Sequence, residues 1–314
     1  MEVLEITLEE YGNITDNRTN VFCQSNFLRH NLYKADTVRC FLGHDKKNRL
    51  ALAVGESEWE WNAPFSAPFS TIAELQTYIK IDYYYEFIKK INEIAKANAI
   101  QRISVMLPPD IYGMAQNAKT ENALLGNGYQ LEYQELNYSF NLHEVEPNNY
   151  EKMIHRNARK NLNIAIKKGL SLKKCTSEDD KRLAYQVIKA NRSNKGYYLA
   201  MSEEEVLSTS HIVKNDFFLV ELNGNAIASA VVFHAANNIV QVIYWGDLPS
   251  VGEFKPINFL AFELIKYYKA KGISHIDIGP SSLKGEPNMG LCGFKESIGC
   301  EVTSKHRFKI ELKK

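Results

Sequence analysis

The chain lacks a strong excess of charge of either sign. Its 314 residues include 38 lysine and arginine residues and 37 aspartate and glutamate residues, which gives a formal net charge of +1. No global field therefore draws the protein to nucleic acid or to an anionic membrane, and an anionic ligand has to be met by a local group of basic residues. We expect no DNA partner.

Long apolar runs and cysteine motifs are missing as well. No stretch reaches the roughly twenty apolar residues of a membrane-spanning helix, and MEVLEITLEEYG has acidic residues where a signal peptide has basic ones. The five cysteines are an odd number and form no Cys-x-x-Cys pair. These absences predict a cytoplasmic protein with no transmembrane segment, no metal site and thiols that are mostly buried.

The chain does contain a long internal repeat. The segment INEIAKANAIQRISVMLPP is echoed by LIKYYKAKGISHIDIGPSS, in which Ile100 and Ile273 give an offset of 173 residues and a later glycine pair gives 171. A period this long predicts two similar domains, 1–145 and 146–314, with the border in the polar, proline-containing segment HEVEPNN. The cleft between two such domains is a common place for a substrate site.

The second half has clear element signals. LSLKKC alternates like a strand, and SEDDKRLAYQVIKANR is a helix that begins after Ser177. The long segment from DFFLVEL to YWGDL predicts three antiparallel strands with turns at 223–224 and 237–238. A helix between Pro256 and Gly272, the strand ISHIDIG, the short helix NMGLCGFKES and the strand CEVTSKHRFKIEL follow.

The first half has a similar order of elements. VLEITL is followed by a helix near 16–30, the strands TVRCFLGH and RLALAVGE, the irregular segment EWEWNAPFSAPFSTIAE, a helix at 78–98, the strand RISVMLP, a helix near 110–126 and the strand YQLEYQELNYSFNL. An antiparallel meander followed by a helix and a strand is typical of the GNAT fold. The sequence therefore predicts an α+β protein of two tandem GNAT-like (acyl-CoA N-acyltransferase) domains, each a mixed, mostly antiparallel sheet flanked by helices.

Three places in the second half point to a family. RNARKNLNIAIKKG enters the second copy, IDIG ends a strand, and GFKESIG precedes the last strand. In this order, and with the duplication, they resemble the Fem-type (FemABX-like) aminoacyltransferases of the tandem GNAT-like superfamily. The resemblance implies transfer of an amino acid from aminoacyl-tRNA to an amine on a cell-wall precursor, while relatives in the wider superfamily use other acyl donors.

The chain departs from the family pattern in three respects. Pro280 follows Gly279 where family proteins often have two glycines, and Ile298 replaces an aromatic residue. No long charged segment is present that could form the helical arm some members use for tRNA. The identities of the acyl donor and the acceptor therefore stay open.

Two residues are candidates for catalysis. Lys295 matches the lysine of the family's Phe-Lys pair, and its ammonium is suited to stabilising an oxyanion or holding a phosphate of a nucleotide-linked acceptor, the alternative being a solvated helix lysine. Asp277 lies at a strand end between two isoleucines. It is suited either to accepting the proton of an attacking ammonium or to capping the next turn.

Five residues are candidates for substrate binding. Arg156 and Arg159 lie on a basic amphipathic helix whose guanidinium groups suit phosphate or carboxylate, and Arg159 matches the family's recurrent arginine; a merely solvated helix face is the alternative. Trp61 and Phe69 belong to an aromatic-rich loop that either plugs the domain interface or lines a ligand groove. Tyr244, in the antiparallel meander, completes the set.

One glycine motif is missing. GNAT enzymes that use acetyl-CoA carry a Gln/Arg-x-x-Gly-x-Gly/Ala loop whose amides bind the pyrophosphate at a helix start. The equivalent stretch here, GEFKPINFLAFE, has no such glycine pair, and Pro256 has no amide hydrogen to donate. CoA binding is therefore not supported by the sequence.

Together these features predict an acyl- or aminoacyltransferase. It would acylate an amine of a small or sugar-linked acceptor, including nucleotide-linked cell-envelope precursors, in the inter-domain cleft. We expect no permanently bound cofactor, and either aminoacyl-tRNA or acyl-CoA as the donor. The alternatives are an acetyl-CoA-dependent N-acetyltransferase with an atypical loop and a non-catalytic binding module on the same fold.

Overall fold

The computed structural model describes residues 1–312, so the last two residues of the predicted second domain lie outside the described residues. Two compact units are present. The first comprises Met1–Leu136, Lys284–Glu286 and the chain from Thr303, and the second comprises Asn137–Leu283 and Pro287–Val302. The sequence predicted that a duplicated domain has its border between residues 145 and 146. A division into compact units does not test whether the domain is duplicated, so this border stays a prediction.

The described residues form strands and helices along the whole chain. The strands are β1 (Glu2–Ile6), β2 (Thr37–Asp45), β3 (Lys47–Ser57), β4 (Glu60–Ala63), β5 (Ala73–Glu74), β6 (Arg102–Met106), β7 (Gln130–Asn141), β8 (Ser171–Lys174), β9 (Asn215–Leu222), β10 (Asn225–Ala236), β11 (Ile239–Asp247), β12 (His275–Pro280), β13 (Ser282–Leu283), β14 (Glu286–Pro287) and β15 (Glu301–Glu311). The helices are α1 (Leu8–Thr15), α2 (Ser25–His30), α3 (Ile81–Ala97), α4 (Met114–Gly126), α5 (Tyr150–Met153), α6 (Arg156–Lys167), α7 (Glu178–Lys195), α8 (Glu203–Ser210), α9 (Pro256–Lys269) and α10 (Met289–Ser297).

The first five strands of each row follow one another in chain order in both units. In the first unit the order is β1-β2-β3-β4-β6-β15, and only β4 and β6 are parallel in this row. In the second unit it is β8-β9-β10-β11-β12-β7, and only β11 and β12 are parallel. The α+β prediction of a mixed, mostly antiparallel sheet is confirmed. The sixth strand differs: in the first unit it is β15, which lies late in the chain, whereas in the second unit it is residues 137–141 of β7, which precede the other strands of that unit.

The meander of the second unit folds as its turn residues predict. Asn223 and Gly224 have positive φ angles of 51° and 79°, and Asn238 has a φ of 59°. Such angles match the right-handed twist of hairpin strands, and asparagine and glycine adopt them most readily. The turns between β9 and β10 and between β10 and β11 are therefore correctly predicted.

The core of the first unit forms between its sheet and α3. Leu50, Leu52 and Val54 of β3 are buried with Phe87 of α3 and Phe308 of β15. The run LALAV is apolar at successive positions because residues on both sides of β3 are buried. This core includes Trp61, one of the two residues of the first unit that the sequence assigned to substrate binding.

Some local predictions are wrong. The helix expected near 16–30 is replaced by the separate helices α1 and α2, with a short 3-10 turn at Val21–Cys23 between them. Helix α8 was not predicted, although Ser202 and Glu205 form a capping box at its start. Among residues 1–312, no helix is long and apolar enough to cross a membrane.

Candidate active site

A buried carboxylate lies at the centre of the second unit's sheet. Asp277 of β12 is flanked in register by Ser139 of β7 and Gln241 of β11, and its side chain is completely buried. Its Oδ1 accepts hydrogen bonds from Asn137 Nδ2 at 2.8 Å and from the Gly279 amide at 2.8 Å, while Oδ2 accepts one from Gln241 Nε2 at 2.9 Å. Such donors stabilise the ionised form of a buried carboxylate.

The sheet opens directly beyond this carboxylate. The parallel ladder between β11 and β12 covers only three residue pairs, 239–241 with 275–277, among the residues described. Strand β11 continues to Asp247 and carries a bulge, because Val231 pairs with Tyr244 whereas the next residue, Val232, pairs with Val242. A strand edge freed from its neighbour offers backbone groups to an extended ligand, and bulges are common beside active sites.

Lys295 is buried beside Asp277. It lies on α10 with only 2% of its surface exposed, so the alternative of a solvated helix lysine is wrong. Its Nζ donates to the carbonyl oxygens of Ile278, Gly279 and Pro280 at 2.9, 2.8 and 3.2 Å. An ammonium has three N–H donors, so these three carbonyls, which we call the carbonyl cage, match it in number.

The environment of Lys295 makes its charge sensitive to pH. Burial lowers the pKa of Lys295 from 10.5 to about 8. Cys300, Asp277 and Cys292 act in the opposite direction, and the nearby positive charge of Arg192 lowers the pKa further. The ring of Tyr138 lies 5.4 Å from Nζ, which is a cation–π distance.

Arg192 is a residue that sequence reasoning missed. It lies on α7, its Nε is buried without a hydrogen-bond partner, and burial lowers its pKa. The guanidinium carbon lies 5.9 Å from the centre of the Tyr197 ring. No ion pair of Arg192 is present within residues 1–312. In the sequence, it stood out from other helix arginines only by its position near the end of α7, just before the exposed tyrosines of GYY.

A close approach of α7 to β11 sets the position of Arg192. Asn191 Nδ2 donates to both the backbone oxygen and Oδ1 of Asp247, at 2.7 and 2.9 Å. A Cβ atom on Gly246 would lie 2.8 Å from Asn191 Cγ. The glycine therefore permits the contact, and Arg192 follows directly on the helix.

Tyr244, whose role in substrate binding stays a prediction, interacts electrostatically with Arg192. Its side chain is 9% exposed, and burial raises its pKa to about 12, while the amides of Met201 and Ala200 act in the opposite direction. Electrostatic interactions couple Tyr244 to Arg192. The structure thus brings Asp277 and Lys295 together and couples Arg192 to both Lys295 and Tyr244.

The predicted arginines lie on α6, whose start is joined to α10 by a bond from the His155 amide to the Ser297 carbonyl at 2.9 Å. Arg159 is half-buried, and its Nη1 is 3.5 Å from the backbone oxygen of Glu151. Arg156 is exposed. No hydrogen bond or ion pair among residues 1–312 joins either arginine to Asp277 or Lys295. The expected convergence of Arg159 with these two residues on one cleft stays a prediction, while Arg192 acts electrostatically on Lys295.

The aromatic residues predicted to meet substrate are core residues of the first unit. Trp61 and Phe69 are both completely buried. Trp61 Nε1 donates to Glu56, and Phe69 packs on Phe22 and Tyr112 with ring centres 5.3 and 4.6 Å away. The segment was expected to be a loop, but Trp61 belongs to β4. These rings are buried because their burial removes a large apolar area from water.

The start of α9 has few free amides. In the loop before it, the amides of Val251, Phe254 and Lys255 donate to carbonyls of the same loop, and the Asn258 amide donates to Lys255. Pro256 is the first residue of the helix. Several of the backbone amides that could bind a pyrophosphate at this helix start are thus used internally. Within residues 1–312, no group of three or more histidine, cysteine or acidic residues is arranged to hold a metal ion.

Comparison with known proteins identifies the fold but no close relative. No family model matches the chain, and no curated protein matches it in sequence. Among solved structures, FemX covers 99% of this chain and 98% of its own, with 13% identity and a TM-score of 0.73. The C-terminal domain of a putative lysylphosphatidylglycerol synthetase from Agrobacterium fabrum covers 98% and 92%, with 10% identity and a TM-score of 0.62. A tandem GNAT protein from the clavulanic acid biosynthesis pathway covers 100% and 99%, with 9% identity and a TM-score of 0.55.

Proposed function

We propose that this protein is an acyl- or aminoacyltransferase that acylates an amine of an anionic acceptor at the site around Lys295 in the second unit. Its fold is that of FemX and of a tandem GNAT protein. The observation that carries the proposal is the group of Lys295, Asp277 and Arg192 where β11 and β12 separate. Its chemistry would be direct attack of the amine on an activated ester or thioester.

The charges of the site favour an anionic acceptor. Two cations, Lys295 and Arg192, interact electrostatically, and Asp277 is the carboxylate that acts on Lys295. An arginine whose buried Nε has no partner is costly unless a ligand supplies one. A phosphate or carboxylate of the acceptor would supply it, because guanidinium groups bind such anions in a bidentate manner.

The positive charge of Lys295 suits the transition state. Attack on an ester places negative charge on the carbonyl oxygen, and a fixed charge in a water-poor site stabilises it strongly. The three N–H groups of Lys295 already face backbone carbonyls. Lys295 would therefore act through its charge, while the free edge of β11 after Gln241 would supply N–H groups to the acyl chain.

The loop before α9 favours an aminoacyl ester over acyl-CoA as the donor. Its amides are used internally and Pro256 has none, so we expect no tight binding of acetyl-CoA. The resemblance to Fem-type enzymes implies aminoacyl-tRNA instead. The open edge of β11 suits either donor.

A transfer assay tests the proposal. Purified protein would be incubated with aminoacyl-tRNA or acetyl-CoA and with amine acceptors, including nucleotide-linked amino sugars and peptides, and products would be identified by mass spectrometry. We expect transfer from aminoacyl-tRNA, loss of transfer in Arg192→Met, and retention in Arg156→Met, since Arg156 is exposed.

Other outcomes would point to the alternatives. Micromolar affinity for acetyl-CoA with acetylated product would favour the N-acetyltransferase. Ligand binding without any transfer would favour a binding module.

A further inference from the structure

We propose that Asp277 is a positioning residue that holds the carbonyl cage around Lys295, and that Asn137 and Gln241 hold Asp277 in turn. The proposal rests on the proposed function, and of the two roles that the sequence left open for this carboxylate it takes the capping of the next turn rather than proton acceptance.

The hydrogen bonds of Asp277 leave little room for a reacting amine. Oδ1 accepts from Asn137 and Gly279, and Oδ2 accepts from Gln241. The side chain is completely buried. A general base has to approach the proton it removes to within about 3 Å, directly or through one water. Asp277 would have to break these bonds to do so.

The bond from the Gly279 amide to Asp277 Oδ1 closes a tight turn. Gly279 has a φ of 73°, which glycine adopts without strain. In this turn the carbonyls of Ile278, Gly279 and Pro280 all point at Lys295 Nζ. Asp277 therefore fixes, through one backbone bond, the direction of successive carbonyls.

Gln241 and Asn137 approach Asp277 from the two neighbouring strands. Gln241 is 4% exposed and Asn137 1% exposed, and each gives its amide nitrogen to a different carboxylate oxygen. Fixing both oxygens sets the rotation of the carboxylate. These two amides thus connect the sheet to the turn and, through the turn, to Lys295.

Asp277 also acts on the charge of Lys295. The ionisable groups that act on Lys295 are Cys300, Asp277, Cys292 and Arg192. Asp277 favours the charged form of Lys295, and burial disfavours it. Without the carboxylate charge, Lys295 should lose its proton at lower pH.

Asp277→Asn is a conservative test, because the hydrogen bonds around residue 277 can rearrange to accommodate the new amide. The new amide would donate one hydrogen bond where the carboxylate accepted one. Gln241 Oε1 is buried without a hydrogen-bond partner, so rotation of the Gln241 amide would present an acceptor to it. The turn bond from Gly279 can persist, since asparagine keeps a carbonyl oxygen.

The first measurement needs no substrate. Protein labelled with 15N and 13C in lysine would be titrated by NMR, with the Lys295 signal assigned by its loss in Lys295→Arg. We expect the titration midpoint of Lys295 to fall by roughly one pH unit or more in Asp277→Asn. Asp216→Asn is the matched control, since Asp216 is also a buried carboxylate of the second unit, 5% exposed, and is not among the groups acting on Lys295. An unchanged midpoint in Asp277→Asn would overturn the proposal.

The second measurement separates positioning from proton transfer. If charged Lys295 is the active form, the rate of transfer falls as the pH rises through the pKa of Lys295. In Asp277→Asn this alkaline limb of the pH–rate profile should move to lower pH, and at pH values below the limb the rate should be reduced by less than about tenfold. Loss of a general base typically costs about a hundredfold to ten-thousandfold. Such a loss at every pH, without movement of the limb, would make Asp277 the base and contradict the proposal. Absence of transfer by the wild type would refute the proposed function alone, since the NMR titration would still decide the role of Asp277.

Discussion

At the residue scale, Lys295 shows how far burial changes an ordinary side chain. In sequence it is one lysine on a short helix, yet it is 2% exposed and donates to three backbone carbonyls. The carbonyls belong to the strand before the helix, and Tyr138 and Arg192 come from distant parts of the chain, so helix periodicity alone does not predict this environment. The resemblance singled out Lys295 without indicating its burial.

Replacing Lys295 should change how stability depends on pH. The pKa of Lys295 is about 8 in the folded protein and 10.5 ordinarily. Between pH 8 and 10.5 the unfolded chain holds the Lys295 proton and the folded protein does not, so the free energy of unfolding of the wild type rises with pH. At 1.36 kcal/mol per pH unit, the full rise is about 3 kcal/mol. Lys295→Met lacks this gain. We expect its deficit in free energy of unfolding, measured in urea, to be larger at pH 10 than at pH 7.

Lys189→Met is the control, because Lys189 is exposed on α7. Its difference from wild type should not vary with pH. A constant deficit for Lys295→Met would show that Lys295 is not held with a lowered pKa.

Arg192 should determine affinity for an anionic ligand. We expect Arg192→Met to weaken binding of a UDP-linked amino sugar by about 2 kcal/mol or more, since removing one partner of a buried charged pair has a cost of that order. Arg192→Lys should recover only part, because a lysine cannot make the bidentate contact. Isothermal titration calorimetry measures both, with Arg156→Met as the exposed-arginine control. Equal affinities in all three variants would exclude Arg192 as the anion ligand.

At the element scale, the strands are more predictable than the helices that lie over them. The hairpins from β9 to β11 follow from alternating apolar residues and from turns that need positive φ. Helix α9 begins at Pro256, as expected from the preference of proline for a first helical position. Helix α8 was missed, because its eight residues have little apolar periodicity and its capping signal stood alone.

The contact between α7 and β11 should tolerate no side chain at position 246. In Gly246→Ala the new Cβ would lie 2.8 Å from Asn191 Cγ, and overpacking of this kind typically costs about 1–3 kcal/mol. Arg192, next on the helix, should shift as well and weaken anion binding. Gly252→Ala is the control, because no atom lies within 4 Å of the position that its new Cβ would take and its φ is not in the positive range. Urea unfolding that shows equal stability for both variants would contradict the close approach.

At the scale of the whole molecule, the first unit depends on a strand from the end of the chain. Residues Arg307–Glu311 of β15 pair with Arg102–Met106 of β6, and Phe308 and Leu312 are part of the first unit's core. The fragment 1–145 lacks β15 and Leu312. It would leave the edge of β6 open, which favours aggregation.

We therefore expect the fragment 1–145 not to fold. A chain that joins 1–136 to 303–314 through a flexible linker should recover a cooperative thermal transition, because it restores β15 and its core residues. The same chain with Phe308→Asp is the control and should lose it. Circular dichroism melting distinguishes them, and a cooperative transition in the fragment 1–145 would show that β15 is dispensable.

The sequence by itself determined the mixed α+β class, the turns of the second unit's meander and most strand positions, because these follow from local periodicity and backbone preferences. It also selected Lys295, Asp277 and Tyr244. Only the tertiary structure decided that Trp61 and Phe69 are core residues, that Arg192 acts on Lys295, and that Asp277 is enclosed by Asn137 and Gln241. The reason is that burial and charge coupling depend on which strands are neighbours and in what register, and residues 137, 241 and 277 become neighbours only when β7, β11 and β12 pair.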